Sequence, residues 1–125
     1  MEDRHIIYPV LVQFFDSYLK ERNVLKTLSM VADDLYSLGT GKEEIAMSKQ
    51  EFAQLLEEEI KSIPNPIQYK ILDYREKQTG EHHWECFCRM ETRVKVKEQQ
   101  EEIPYCTRFT GSFREESGKM LATAL

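Results

Sequence analysis

The spacing of apolar residues changes once along this chain, at Pro64–Pro66, and that change limits most of what the chain can fold into. Before it, apolar residues recur every three or four positions, the period that lines one face of a helix. After it they alternate, the period of a half-buried strand. Elements segregated in this way give an α+β fold in which helices pack on one face of an antiparallel sheet.

In RHIIYPVLVQFFDSYLKERN, the positions Ile7, Val10, Leu11, Phe14, Phe15, Tyr18 and Leu19 predict a first helix. Pro9 suits its first turn, and Lys20 and Arg22 suit its negative C-terminal end. Asn23 is placed to cap a shorter helix, VLKTLSMVA, buried through Val24, Leu25, Leu28 and Val31. Leu35, Tyr36 and Leu38 suit a short strand that ends at Gly39 and Gly41. Ser48-Lys49-Gln50-Glu51 then has the capping-box pattern. It opens a third helix that turns Phe52, Leu55, Leu56, Ile60 and Ile63 inward and stops at Pro64.

Beyond Pro66, IQYKILDYRE, HHWECFCRMETRVKV and IPYCTRFTGSFRE read as three long strands and KMLATAL as a fourth, with KQTGE and EESGK as turns. In the second of these, Trp84, Cys86, Cys88, Met90, Val94 and Val96 share one face. His83, Glu85, Arg89, Glu91, Arg93 and Lys95 share the other, with Phe87 the apolar exception. The sequence stops inside the last strand, so the expectation is one domain, residues 1–125, excised from a longer chain.

At 125 residues there is enough chain for one core without staples. A net charge of −5 argues against a nucleic-acid or anionic-membrane binder, both of which need clustered positive charge. No apolar run approaches the roughly 20 residues of a membrane span. MEDRHIIYPV lacks the basic lead and long apolar stretch of a signal peptide. Three cysteines make no disulfide framework, and a reducing cytoplasm is the expected compartment.

SLGTGKEE, with its G-T-G-K string, invites a phosphate-binding reading. A phosphate loop needs G-x-x-x-x-G-K-[ST], yet its first glycine falls here at Tyr36 and its hydroxyl position at Glu43. Glu43 and Glu44 would also repel a polyphosphate, so the glycines read as turn residues. His82, Cys86 and Cys88 share strand parity and, with Cys106, offer soft ligands for zinc. No C-x-x-C knuckle accompanies them, and Cys-x-Cys on an apolar strand face reads as two small buried hydrophobes; neither metal nor cofactor is expected. Asp33-Asp34 reads either as an acid/base pair or, more simply, as solvation of a helix-to-strand junction. EEEIK and KEQQEE read as solvated faces or loop.

The stretch FFDSYLKERNVLKTLSMVADDLYSLGTGKEEIAMSKQEFAQLLEEE resembles the opening of the nuclear transport factor 2-like superfamily, SnoaL-like branch. The shared pattern is a long helix, a polar break, a short helix ending in Ala32-Asp33-Asp34, a strand with Gly39, a glycine-rich loop, and a capped helix from Ser48. The closing GSFREESGKMLATAL is similar to that group's last hairpin. The resemblance implies a cone: three helices against a strongly curved, cystatin-like antiparallel sheet, with a pocket between them. Its candidate lining is Phe14, Phe15, Tyr18, Tyr36, Trp84, Cys86, Cys88 and Met90.

The glycine-rich turn followed by KEEIAMSKQEF looks most like SnoaL-like domains of bacterial signalling proteins, ahead of diguanylate cyclase or histidine kinase modules. That implies a sensory or dimerising unit with a small apolar ligand and a C-terminal signalling module. It also implies a homodimer through the outer sheet face, where Arg89, Glu91 and Arg93 lie. The same fold hosts isomerases, dehydratases and polyketide cyclases. Aligned on Asp33-Asp34, the ketosteroid isomerase-type base falls at Gly39 and the oxyanion-donating tyrosine at Phe15, neither of which has the needed group. Tyr18 lies one turn later. Scytalone dehydratase-like chemistry wants cavity histidines, and His5, His82 and His83 sit at the N-terminus or in a hairpin. Losing a base or an oxyanion donor typically costs about 100-fold or more each. A non-catalytic binding or dimerising domain is therefore expected, ahead of a small lyase or isomerase and of a purely structural dimeriser.

Overall fold

The computed structural model describes residues 5–38, 45–95 and 102–125, which form three helices and a six-stranded sheet. Helix α1 (Tyr8–Phe15) has Pro9 in its first turn, where the missing N–H costs nothing. It runs on as a π-turn over Asp16–Lys20, where the Glu21 N–H donates to the Asp16 carbonyl five residues back, at 2.8 Å. Arg22, in the left-handed region at φ 51°, ends it. Helix α2 (Val24–Leu28) is capped by the Asn23 side chain, which accepts from the Lys26 N–H at 3.0 Å. Helix α3 (Lys49–Ser62) is capped by Ser48, which accepts from the Glu51 N–H. No helix among the described residues is long and apolar enough to cross a membrane.

Two expectations for α2 fail. Leu25 is 81% exposed, because the helix is only five residues long and buries Thr27 instead. Val31 is buried, but as the first residue of a strand.

That strand, β1 (Val31–Leu38), begins earlier and is longer than its apolar residues suggested. Its backbone is claimed on both sides. A two-residue strand β2 (Ile45–Ala46), not foreseen from sequence, pairs antiparallel with one edge; β6 (Lys119–Ala124) pairs parallel with the other. The sheet order is β2-β1-β6-β5-β4-β3, with β3 Gln68–Gly80, β4 His83–Lys95 and β5 Glu102–Glu116. All neighbours but β1–β6 are antiparallel. KQTGE is mostly strand rather than turn, since β3 continues to Gly80 and the chain reverses at Glu81–His82. The β5–β6 reversal uses Ser117 and Gly118, both at positive φ, the two-residue turn that matches strand twist.

Alternation decides what each strand buries. Cys86, Cys88 and Met90 of β4 face the helices, opposite Gly111, Phe109 and Thr107 of β5. They meet Leu11, Phe14, Phe15, Phe52 and Leu56 from α1 and α3 in one continuous core. Glu85, Phe87, Arg89, Glu91 and Arg93 lie on the other face, as the sequence predicts; Val96 lies outside the described residues.

In β3 the alternation is broken. A bulge between Leu72 and Arg75, with Asp73 at φ 51°, adds one residue opposite β4. Tyr69 and Ile71 face the helices before it, and Tyr74 and Glu76 face them after it. Arg75 and Lys77 are thereby turned outward.

Candidate functional site

Where α1 and α3 diverge above the sheet they leave a cavity of about 560 Å³. Phe14, Phe15 and Tyr18 supply one wall, and Phe52, Leu55 and Leu56 the opposite one. Met90 and Phe109 form the floor, and Ser37 and Leu38 close one side. The walls follow from helical period: positions 14, 15 and 18 share one face of the first helix, and 52, 55, 56 and 59 one face of the third.

Glu59 belongs to that face. It accepts a 2.5 Å hydrogen bond from the Tyr18 hydroxyl across the cavity, with Glu58 and Ser62 beside it at the mouth. Reading the EEEIK run as a solvated face missed this; the seven-residue step from Phe52 to Glu59 is the signal that finds it. Arg22 lies under the pair. Its guanidinium sits 5.5 Å from the centre of the Tyr18 ring and donates to the carbonyls of Tyr18 and Ile63, which joins the ends of the two helices.

Of the eight residues expected to line a pocket, the structure brings Phe14, Phe15, Tyr18 and Met90 into the cavity. Cys86 and Cys88 are core residues beneath it, and Trp84, half-buried, packs against that core further along β4. Tyr36 is elsewhere: it pairs with Ala124 and opens on the outer sheet face, because Leu35 beside it takes the inward position.

That outer face holds a shallow depression of about 830 Å³. Phe87 lies on its floor, and Arg75, Lys77 and Arg108 stand around it.

The other constellations resolve into structural roles. Asp34 is exposed and pairs with Arg114 at 3.3 Å, and the hydrogen bond from that guanidinium holds its carboxyl below the usual range. Asp33 reaches Lys49 at 4.0 Å. Neither lines the cavity, and neither do the three histidines. Gly39, where the alignment on Asp33-Asp34 puts the isomerase-type base, lies with the rest of residues 39–44 outside the described residues. Phe15, where the same alignment puts the oxyanion donor, is buried with its ring against those of Phe14, Tyr69 and Phe109.

Among the described residues no group of three or more His, Cys, Asp or Glu is arranged to hold a metal ion. Cys106 faces away from Cys86 and Cys88, opposite Glu91 on the outer face. Burial pushes the Cys86 thiol up to about 12, with the neighbouring Cys88 and Glu76 adding to the effect, and burial also raises Cys88. Thiolates react and thiols do not. A maleimide is therefore expected to label Cys106 alone in the native protein and all three cysteines after denaturation. Native labelling of two or three sites, read by mass spectrometry, would contradict the buried placement.

No protein-family model and no curated protein matches the chain by sequence. Solved structures do match. A protein from Xanthomonas campestris assigned as a calcium/calmodulin dependent protein kinase II association domain superposes with a TM-score of 0.81 at 15% identity, over 98% of this chain and 85% of that one. A ketosteroid isomerase-like protein from Erwinia carotovora atroseptica gives 0.79 at 15% identity, over 95% and 89%. A protein from Novosphingobium aromaticivorans assigned as a scytalone dehydratase gives 0.77 at 10%, over 92% and 77%. At such identities the likeness establishes the fold, which is nuclear transport factor 2-like.

Proposed function

We propose that this chain is a non-catalytic domain that binds a small, largely apolar molecule between α1, α3 and the sheet, and that it serves as a sensory or dimerising unit of a bacterial signalling protein. The observation that carries the reading is the cavity itself: about 560 Å³ walled by aromatic and aliphatic side chains, a size and lining suited to a small-molecule site. Phe15 supplies no hydroxyl where related enzymes place an oxyanion donor, and no histidine reaches the space. A ligand seated against both helices would favour one of their arrangements over another and so bias whatever module follows.

Dimerisation through the outer sheet face belongs to the same proposal. Phe87, a large apolar side chain, is 42% exposed there among charges of both signs, as a self-complementary contact requires. A solved neighbour assigned as an association domain is in keeping with it.

Native mass spectrometry tests both halves, together with uptake of a neutral solvatochromic naphthalene dye. The protein is expected as a dimer that takes up the dye. Leu55→Trp, which narrows the cavity, should weaken uptake at least tenfold without changing the dimer mass. Phe87→Glu should give monomers that still bind. Dye uptake indifferent to Leu55→Trp would place the dye elsewhere and overturn the pocket reading; a monomeric wild type would overturn the pairing.

A further inference from the structure

We infer that the cavity selects a cationic ligand: an apolar, ring-sized body carrying an amine, with the ammonium held at Glu59. This rests on the proposed binding role and adds the charge of what is bound.

The lining contributed by the described residues includes two carboxylates, Glu58 and Glu59, and no lysine, arginine or histidine. Glu58 is exposed at the mouth, whereas Glu59 is half-buried at the boundary between the apolar walls and the opening. The Tyr18 hydroxyl occupies only one of its oxygens, Oε2, at 2.5 Å. Oε1 remains as an acceptor, and a carboxylate has about four lone-pair directions to offer.

Arg22, which lies against the Tyr18 ring, does not compete for it. Its two terminal nitrogens donate to backbone carbonyls, and it forms no ion pair with Glu59. Tyr18 is held between the Arg22 guanidinium on its ring and Glu59 on its hydroxyl, so the carboxylate is positioned rather than loose.

The apolar walls point the same way. Phe14, Phe15, Phe52 and Phe109 line the space, and aromatic faces attract cations and disfavour anions. An anionic ligand would meet two carboxylates and aromatic rings, with no lysine, arginine or histidine among the described lining residues to offset them. A neutral one would leave the free Glu59 oxygen without a donor or force it to stay hydrated.

Three ligands sharing one ring system test this by displacement of the neutral dye: 2-naphthylmethylamine, 2-naphthylmethanol and 2-naphthoate. The amine is expected to displace the dye at a concentration at least tenfold below the alcohol, with the carboxylate weakest. Glu59→Gln keeps an acceptor for Tyr18 and should bring the amine to the level of the alcohol, each displacement being read against that protein's own dye affinity. Equal affinities for amine and alcohol, or a preference for the carboxylate, would overturn the charge selection and leave the binding role standing. An amine advantage that survives Glu59→Gln would overturn the assignment to Glu59. Failure of the wild type to take up even the neutral dye would bring down the binding role, and this inference with it.

Discussion

Phe15→Ala is expected to cost about 3–5 kcal/mol of unfolding free energy, the usual range for a buried aromatic truncated to a methyl group. The ring is 1% exposed and sits edge-on to Phe109 at 5.0 Å, Tyr69 at 5.4 Å and Phe14 at 5.9 Å. It thereby joins α1 to both β3 and β5. Each well-placed aromatic pair adds roughly 0.5–1.5 kcal/mol beyond area burial, so the upper half of the range is the better expectation. For a domain whose total stability is about 5–15 kcal/mol, such a loss lowers the melting temperature by roughly 10–20 °C. Phe15→Leu, which keeps most of the volume, should cost about 1–1.5 kcal/mol. Chemical denaturation of the three proteins measures both values. A loss below about 1 kcal/mol for Phe15→Ala would mean that the wall collapses onto the gap, or that the ring stands in a wet cavity instead of a dry core.

The size of this effect also settles how Phe15 can be used. A residue that both lines the cavity and holds the helix to the sheet cannot report on binding by truncation, because lost fold and lost ligand look alike. Leu55, only partly buried and on the opposite wall, carries that test better.

What the sequence disclosed depended on whether the structure obeyed a local period. The helices from Tyr8 and Lys49 were legible because Pro9 in one first turn and the Ser48 cap of the other agree with the apolar steps, and the two faces of β4 because its residues alternate with Phe87 as the exception. β1 was cut short because Asp33, Asp34 and Ser37 look like loop. They are strand because β6, almost ninety residues later, pairs with the same backbone, and no window around β1 contains that information. Tyr36 was misplaced for a simpler reason: with Leu35 inward, its neighbour on a strand has to point out. Glu59 was hidden by its company in a run of three glutamates, although its seven-residue step from Phe52 gave it away. The β3 bulge was not legible at all. Plain alternation puts Asp73 and Arg75 on the same face as Tyr69 and Ile71; the extra residue at Asp73 brings Tyr74 and Glu76 there instead.

That displacement has a measurable consequence at Glu76, the second large expected effect. Helix α1 has no side-chain cap of its own, since Ile7 stands at the capping position, and its first turn has no acidic residue. Its unpaired N–H groups are met from β3. The Glu76 carboxylate accepts from Ile6 at 2.9 Å, Ile7 at 3.1 Å and Tyr8 at 3.2 Å, and takes a fourth bond from the Tyr74 hydroxyl at 2.7 Å. A negative group at a helix N-terminus gains from both the bonds and the helix dipole.

Glu76→Ala should cost about 2–3 kcal/mol, a cap's typical ~1 kcal/mol plus the penalty for leaving part-buried N–H groups and the Tyr74 hydroxyl without partners. Glu76→Gln, which keeps acceptor oxygen but loses the charge, should cost about half as much. Because Tyr74→Phe removes a partner of the same carboxylate, the double variant should fall short of the summed single losses by about 0.5 kcal/mol or more. Hydrogen exchange locates the effect: protection should drop first at the amides of Leu11 to Phe14, where α1 frays from its N-terminal end, before any change in β4. Strict additivity with Tyr74→Phe, or fraying that begins at the Arg22 end of the helix, would show that Glu76 is not what anchors α1 to the sheet.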